Sequence, residues 1–362
     1  MDFQGMKRKY HKVVHVTNMY PTLKDPSKGV FVKNIVERTI SLGFNTDLIA
    51  IYQTEQGLHS KIKSYLSFYM KIVKSILSND HKDTLFYIHF PTHSILPFLL
   101  FGRGFDILTH FHGSDAHHVG KNRFVAWLKR TMSKLAIEKS LKVIVPSNTY
   151  RKFIIEKYRV KKPVLVFPSG GVRDFFQFKK PREKRSYKFA YIGRLEKQKN
   201  FDLVMDIFRL LRSSHPTARF LIVGNGSMFQ KLNNTLLKND RLIDYKEGAS
   251  QTELVSLYND VQFVFYPSMA ESLGLVPLEA LKCGCIPLVS DIEVFSETLV
   301  NFDTLAHSIL TAEKFYKSVL PVISKDHEKL LSIIEGETSN IHEKFSELAC
   351  NKLLDEVLLV ER

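Results

Sequence analysis

A chain of 362 residues with 44% hydrophobic content is long enough for about two domains, each with its own core. Its apolar runs, such as Ile95 to Phe101, stay far below the roughly 18 residues of a membrane span, and Met1 to Lys12 has no apolar signal region. Three cysteines supply neither a disulfide framework nor a zinc quartet, so a reducing, cytoplasmic setting is expected. The formal net charge of +15 raises nucleic acid and anionic membranes as partners.

Val13 to Val16 predicts a strand, and Asn18 to Val30, with Pro21, Pro26 and Gly29, predicts a loop. Phe31 to Leu42 has helical periodicity and stops at Gly43, and Thr46 to Tyr52 is a second strand. The chain therefore opens as a βαβ unit of a Rossmann-like domain. His59 to Ser78 is a basic helix with four lysines, no acid, and Ile62, Leu66, Tyr69, Ile72 or Val73, and Ile76 at helical spacing. Ile107 to Thr109 is a strand whose exit, His110-Phe-His112-Gly-Ser-Asp115-Ala-His117-His118, holds four histidines and an aspartate in nine residues. A dinuclear hydrolase needs that aspartate one position earlier, so no metal is expected, and His110 reads as a buried, satisfied side chain. Asn122 to Leu141 is a second basic helix, with Phe124, Trp127, Leu128, Met132 and Leu135 among Arg123, Lys129, Arg130 and Lys134. Val143 to Ser147 and Val164 to Pro168 are strands separated by a helix over Thr149 to Tyr158. Beyond Ser169-Gly170-Gly171-Val172, the polar, basic stretch Arg173 to Lys188 with Pro181 reads as an interdomain linker.

Phe189 to Ile192 is a strand ending in Gly193-Arg194-Leu195-Glu196-Lys197-Gln198-Lys199-Asn200, with Asn200 capping the next helix. Arg194 and Lys199 then sit at the carboxyl edge of a parallel sheet, where two cations neutralise a leaving diphosphate without metal. Lys197 reads as a solvated charge. Arg219 to Val223 is a strand that turns at Gly224-Asn225-Gly226-Ser227. With Phe229 at the third glycine position, nicotinamide binding is rejected, and a structural tight turn is the plain reading of Gly224. Phe263 to Tyr266 is a buried strand; the chain then crosses Glu271, meets Pro277 as first helical residue, and runs as helix from Leu278 to Lys282. Gly284 stops that helix, and Ile286 to Val289 resumes as strand. The amides of Ser272, Leu273, Gly274 and Leu275 lead into the helix N-terminus and offer donors to a phosphate. Glu271 in the loop and Glu279 in the first turn flank it as acceptors for sugar hydroxyls. The plainer alternative is a solvated Glu271 and a Glu279 that only partners the helix dipole. His342 to Val360 is a final amphipathic helix.

The run Glu271-Ser-Leu-Gly-Leu-Val-Pro-Leu-Glu279, followed by Ala-Leu-Lys-Cys-Gly-Cys-Ile-Pro, resembles the donor-site signature of family-four retaining glycosyltransferases, the group 1 type. Gly193-Arg194-Leu195 with Lys199 just before a helix fits the same pattern, and the resemblance covers most of residues 13 to 298. It implies an α/β GT-B architecture of two Rossmann-like domains facing each other across a cleft. Residues 1–172 would form the acceptor-side domain, 173–188 the linker, 189–340 the nucleotide-sugar domain, and 341–362 a helix crossing back to the first domain. By the same resemblance Glu271 touches the transferred sugar, Glu279 the ribose, and Arg194 and Lys199 the diphosphate, with Gly193 and Gly224 near the nucleotide. His112, in a His-Gly-x-Asp segment, would orient the sugar, and Gly29 would lie in a phosphate-facing loop where many relatives carry two glycines. Gly170 stands where the family usually has Asn, and the glycine pair usual after the strand at Val289 is missing.

The expected protein is a retaining, metal-independent hexosyltransferase with no cofactor, acting through His112, Glu271, Arg194 and Lys199. It would move sugar from a UDP- or GDP-linked donor to a hydroxyl on a glycan or glycolipid, in cell-surface polysaccharide synthesis. Residues 1–180 hold 30 Lys and Arg against 12 Asp and Glu, a net of +18, and the remainder has a net of −3. The two basic helices suit an anionic surface at the inner face of a membrane; equally, they cover a sheet and expose lysines. With no RNA-binding signature, zinc finger or aromatic stacking strand, nucleic acid is not an expected partner. The alternatives are a catalytically idle sugar-nucleotide or membrane-surface binder and a GT-B sugar-nucleotide epimerase.

Overall fold

The computed structural model describes residues 8–22, 28–52, 57–113, 123–238 and 240–359. They form two compact units, one running up to Gly170 and including the segment from Cys350, the other from Gly171 to Ala349.

The first unit holds β1 (Lys12–Thr17), β2 (Asn45–Ala50), β3 (Thr84–His89), β4 (Asp106–His110), β5 (Lys142–Val145) and β6 (Val164–Val166). All are parallel, in the order β2-β1-β3-β4-β5-β6. Parallel strands covered on both faces lose the alternation that marks a half-exposed strand, and β3 is buried along its whole length. His15 stands opposite Tyr87, and His89 opposite His110. Because successive side chains alternate, these four share one face of the sheet. That face packs Val13, Leu85 and Leu108 against Ile35 of the helix Val30–Ser41 and against Cys350, Leu354 and Val357 of the helix Glu347–Leu358. The other face packs Val14, Phe86 and Ile88 against Phe68, Ile72 and Ile76 of the helix Leu58–Ser78. Gly29 is the N-cap of Val30–Ser41 at φ 72, and a Cβ there would lie 2.8 Å from the Met19 carbonyl oxygen, so the chain entry itself requires glycine. Gly170, at φ 86, receives two hydrogen bonds on its carbonyl from the buried Arg38 guanidinium, 3.1 and 2.8 Å long.

The second unit holds β7 (Tyr187–Ile192), β8 (Phe220–Val223), β9 (Ile243–Lys246), β10 (Val261–Tyr266), β11 (Ile286–Ser290) and β12 (Ala306–His307), all parallel, in the order β12-β11-β10-β7-β8-β9. The sheet is completed beyond β11 by the two-residue β12. Strands advance one way from β7 and the other way from β10, so the order reverses between them. Ligands of such sheets sit at the carboxyl ends of the strands flanking that reversal.

Two expected boundaries fall elsewhere. Residues 173–188 lie inside the second unit, where Phe176 is core and the Arg185 guanidinium donates to the carbonyls of Lys180, Tyr258, Val261 and Cys283. The final helix is two helices, His327–Phe345 and Glu347–Leu358, broken at Ser346 (φ −65, ψ 165), whose hydroxyl accepts from the Ala349 N–H at 3.2 Å as an N-cap does. Residues 341–349 thus stay with the second unit, and the chain joins the first only from Cys350.

Candidate active site

At the reversal in the second sheet, β7 exits through Gly193–Asn200 and β10 through Pro267–Gly274. The Met269 N–H bonds the Gln198 carbonyl at 3.1 Å, which ties the two exits together. Lys199 forms an ion pair with Glu271 and donates to the Tyr266 hydroxyl at 3.0 Å. Its side chain is 12% exposed and that of Glu271 10%, so little water screens the pair, and removing either partner would strand a nearly buried charge. Burial, with the Glu271 carboxylate next, holds the Tyr266 phenol well above its usual range and so protonated. The Arg194 side chain is exposed, acts electrostatically on Tyr266, and makes no hydrogen bond or ion pair among the described residues. Lys197 is exposed.

Two turns beside this cluster interlock. The Leu195 N–H bonds the Asn225 carbonyl and the Met228 N–H bonds the Leu195 carbonyl, both at 3.0 Å, while Glu196 accepts from the Ser227 amide and hydroxyl. A Cβ on Gly224 would lie 1.9 Å from the Gly193 carbonyl oxygen, and one on Gly226 2.4 Å from that of Leu195. The packing of turn on turn therefore accounts for both glycines. Asn200 precedes the helix Phe201–Ser214 in left-handed backbone at φ 54, and its side chain makes no cap hydrogen bond.

The helix Leu275–Lys282 starts two residues before its expected point, with Pro277 third. The third amide of a helix is still an unpaired one, so proline is tolerated there. Gly274 is the N-cap at φ 84 with no side-chain cap, and a Cβ on it would strike the Phe295 ring at 2.5 Å. Gly284, at φ 71, and its neighbours close the helix by bonding back to the Ala280 and Leu281 carbonyls. Glu279 is the fifth helical residue, two places beyond its expected position in the first turn, and is 8% exposed. Burial, opposed only in part by the neighbouring Tyr258 hydroxyl, pushes its carboxyl up to about 8. At neutral pH it is therefore mostly an acid that can donate as well as accept, not an ionised partner of the helix dipole.

In the first unit, His112 lies against the rings of Phe31 and Phe90, with centroids 4.6 and 5.0 Å away. Its Nε2 is 3.0 Å from His89 Nδ1. His110 is fully buried and Nδ1 meets the Tyr87 hydroxyl at 3.1 Å, yet its Nε2 has no partner among the described residues, so it is only half satisfied. Asp115, His117 and His118 lie outside the described residues. Sequence inspection passed over His15 and His89, although both sit near the ends of apolar runs. The ligand atoms of His89, His110 and His112 all lie within 4.8 Å of one another. An ion does not suit this arrangement: the His89 and His112 centroids are 5.3 Å apart and their facing nitrogens 3.0 Å, a difference of just two ring radii. Both nitrogens thus lie on the line between the rings, and an ion on that line needs about 4 Å at roughly 2.0 Å per bond. The gap is that of a shared proton.

Two parallel Rossmann-like sheets, the second reversing its order beside a basic and acidic cluster and an uncapped helix start, define a protein of the GT-B class. Residues 172–336, just under half of the chain, match the family described as Glycosyl transferases group 1. An uncharacterized glycosyltransferase of Methanocaldococcus jannaschii is 23% identical over 328 residues, 90% of this chain and 84% of the relative. The O-antigen chain mannosyltransferase RfbU of Salmonella typhimurium is 27% identical over 176 residues, and the match spans about half (48%) of each chain. The crystal structure of Anabaena HepE in complex with UDP and glucose superposes with a TM-score of 0.70 at 12% identity over 96% of this chain and 99% of its own, a likeness of fold alone.

Proposed function

We propose that this protein transfers a sugar, with retention, from a UDP- or GDP-linked donor to a hydroxyl acceptor. The observation that carries the reading is the Lys199–Tyr266–Glu271 cluster at the reversal of the second sheet, with Arg194 exposed beside it. On donor binding, Lys199 exchanges its carboxylate partner for the diphosphate, and Glu271 turns to the sugar hydroxyls. The bond between the anomeric carbon and the diphosphate oxygen breaks, and Arg194, Lys199 and the amides around Gly274 and Leu275 stabilise the charge that grows on the leaving group. Ser272 and Leu273 shape that loop, Glu279 meets the ribose, and His112 orients the sugar. No side chain serves as covalent nucleophile, so the acceptor oxygen bonds to the anomeric carbon on the face the diphosphate leaves and passes its proton to the departing diphosphate oxygen, and no metal is required. Incubation with UDP- and GDP-sugars tests this: the wild type consumes one of them and Glu271→Ala does not. Consumption of none, with or without lipid acceptor, sinks the reading in favour of an idle binder, and sugar conversion without acceptor favours an epimerase.

We propose further that the acceptor lies at an anionic membrane surface, at its cytoplasmic face. The buried stripe of Leu58–Ser78 is Phe68, Ile72 and Ile76, which leaves Leu66, Met70 and Leu77 at 58%, 66% and 75% exposure next to exposed lysines 61, 63, 71 and 74. On the helix Arg123–Lys139, Ser133, Ala136 and Ile137 are buried, whereas Phe124 and Trp127, expected in its apolar stripe, are 66% and 60% exposed. No helix among the described residues is long and apolar enough to cross a membrane. Apolar side chains ringed by lysines suit insertion at the headgroup level, with each cation adding about 1 kcal/mol. Sedimentation with phosphatidylglycerol vesicles is expected to exceed that with phosphatidylcholine. Reversing Lys61, Lys63, Lys71 and Lys74 to Glu should weaken it by at least about tenfold; equal binding to both vesicle types refutes the surface role.

A further inference from the structure

Tyr266 is the last residue of β10 and is 4% exposed, and its hydroxyl stands where Lys199 and Glu271 meet. An ammonium can only donate, so at 3.0 Å the phenol oxygen is the acceptor for Lys199. The single hydrogen of the phenol is then left for another oxygen. The Glu271 carboxylate acts on Tyr266 both as a neighbouring charge and as a hydrogen-bond acceptor. The three groups thus close a triangle, in which the ammonium donates to carboxylate and phenol, and the phenol donates to the carboxylate. All three belong to the second unit, at the exits of the paired strands β7 and β10.

Moving the ammonium to a diphosphate opens one side of that triangle. The Glu271 side chain is only 10% exposed, so without a second donor its carboxylate would be left nearly buried and unpaired. The phenol hydrogen prevents this, because it stays on the carboxylate after the ammonium has moved, while the phenol oxygen still accepts from the ammonium. Burial, with the Glu271 charge next, keeps the phenol protonated and so able to donate. A phenylalanine would keep the aromatic ring, whose centroid is 5.1 Å from the ammonium and 6.1 Å from that of Phe295. It would leave the side chains of Lys199 and Glu271 with no hydrogen-bond partner but each other among the described residues.

We propose that Tyr266 is a positioning residue for the nucleotide donor, the pivot on which Lys199 leaves Glu271 for the diphosphate while both charges stay hydrogen-bonded. This deepens the donor-site reading given above and rests on it. The role belongs to the hydroxyl and not to the aromatic ring. It acts before any sugar is transferred, so UDP or GDP alone reports on it. Without the hydroxyl, an incoming diphosphate strands a nearly buried carboxylate, and affinity falls. Once that carboxylate is an amide, no charge is stranded, and the hydroxyl ceases to matter.

The test is a double-mutant cycle on UDP and GDP binding, read by titration calorimetry of wild type, Tyr266→Phe, Glu271→Gln and the double variant, with Lys199→Ala beside them. Tyr266→Phe is expected to bind the nucleotide about tenfold more weakly than wild type, as for groups in contact. The double variant is expected to bind as tightly as Glu271→Gln alone. Lost packing would weaken both backgrounds alike, so a double variant weakened as much as Tyr266→Phe overturns the proposal, and so does a Tyr266→Phe protein that binds like wild type. The comparison of the double variant with Glu271→Gln stands even if Tyr266→Phe alone does not fold. If Lys199→Ala binds as tightly as wild type, or the wild type binds neither nucleotide, the donor-site reading itself falls. A weakened Lys199→Ala beside an unaffected Tyr266→Phe removes the pivot alone.

Discussion

Lys199→Ala lowers donor turnover by on the order of 10²–10³, the range for losing one preorganised donor to a developing oxyanion. The loss falls mainly on kcat, because the lysine's charge matters most when the departing diphosphate gains its own. Lys199→Arg does not rescue, since the site that accepts the ammonium is narrow: Tyr266 and Glu271 both lie on it, and only 12% of the side chain is exposed. Glu271→Gln keeps the shape, removes the partner charge and leaves Lys199 unpaired in a nearly buried place, so nucleotide diphosphate alone binds more tightly while sugar transfer falls. Glu279→Gln behaves differently. Its carboxyl is already mostly protonated near neutrality, and the amide is close to its isostere, so turnover changes several-fold at most. Steady-state kinetics and nucleotide titration of the four variants check this; a Lys199→Ala enzyme within a few-fold of wild type would remove the diphosphate from this cluster.

Much of this arrangement is legible in the chain because it is local. Gly193 to Asn200 and Glu271 to Gly284 each announce a strand exit followed by a helix, and parallel sheet geometry brings two such exits together when their strands neighbour. The ion pair between Lys199 and Glu271, 72 positions apart, is a consequence of β7 pairing with β10, which no local pattern states. The protonation of Glu279 is equally hidden, since it depends on how deeply the helix sinks beside Tyr258. His89 shows the other limit. It ends a six-residue strand buried on both faces, where periodicity is silent, and its partners His15 and His112 come from different strand ends. The glycines of 224–226 invite a nucleotide, but the need is created by a neighbouring turn 31 residues earlier in sequence, seen only in three dimensions.

Lowering the pH from 7 to 5 is expected to destabilise the first unit far more than the second. His15 is pushed down to about 3, His93 to about 4, and His89, His110 and His112 well below the usual value, each chiefly by burial. All five belong to the first unit. In the unfolded chain they take protons near pH 6.5, whereas the folded unit refuses them until much lower pH. Between those values the unfolded state holds more protons, so stability rises with pH and falls on acidification. For His15 alone the loss at pH 5 is on the order of 2 kcal/mol, and the others add to it less than independently because they are in contact. The second unit has His307, pushed down to about 4, and against it Glu279, raised to about 8. The raised carboxyl acts in the opposite sense: the unfolded chain loses that proton near pH 4.5 and the folded one near 8, so this contribution is present in acid and lost on the alkaline side. The two cancel over much of the acid range. Hydrogen exchange at pH 7, 6 and 5, corrected for intrinsic rates, should therefore show protection lost first along β1, β3 and β4, with β7 and β10 largely unchanged. Equal loss in both sheets, or none in the first, would show that the buried histidines do not govern its acid stability.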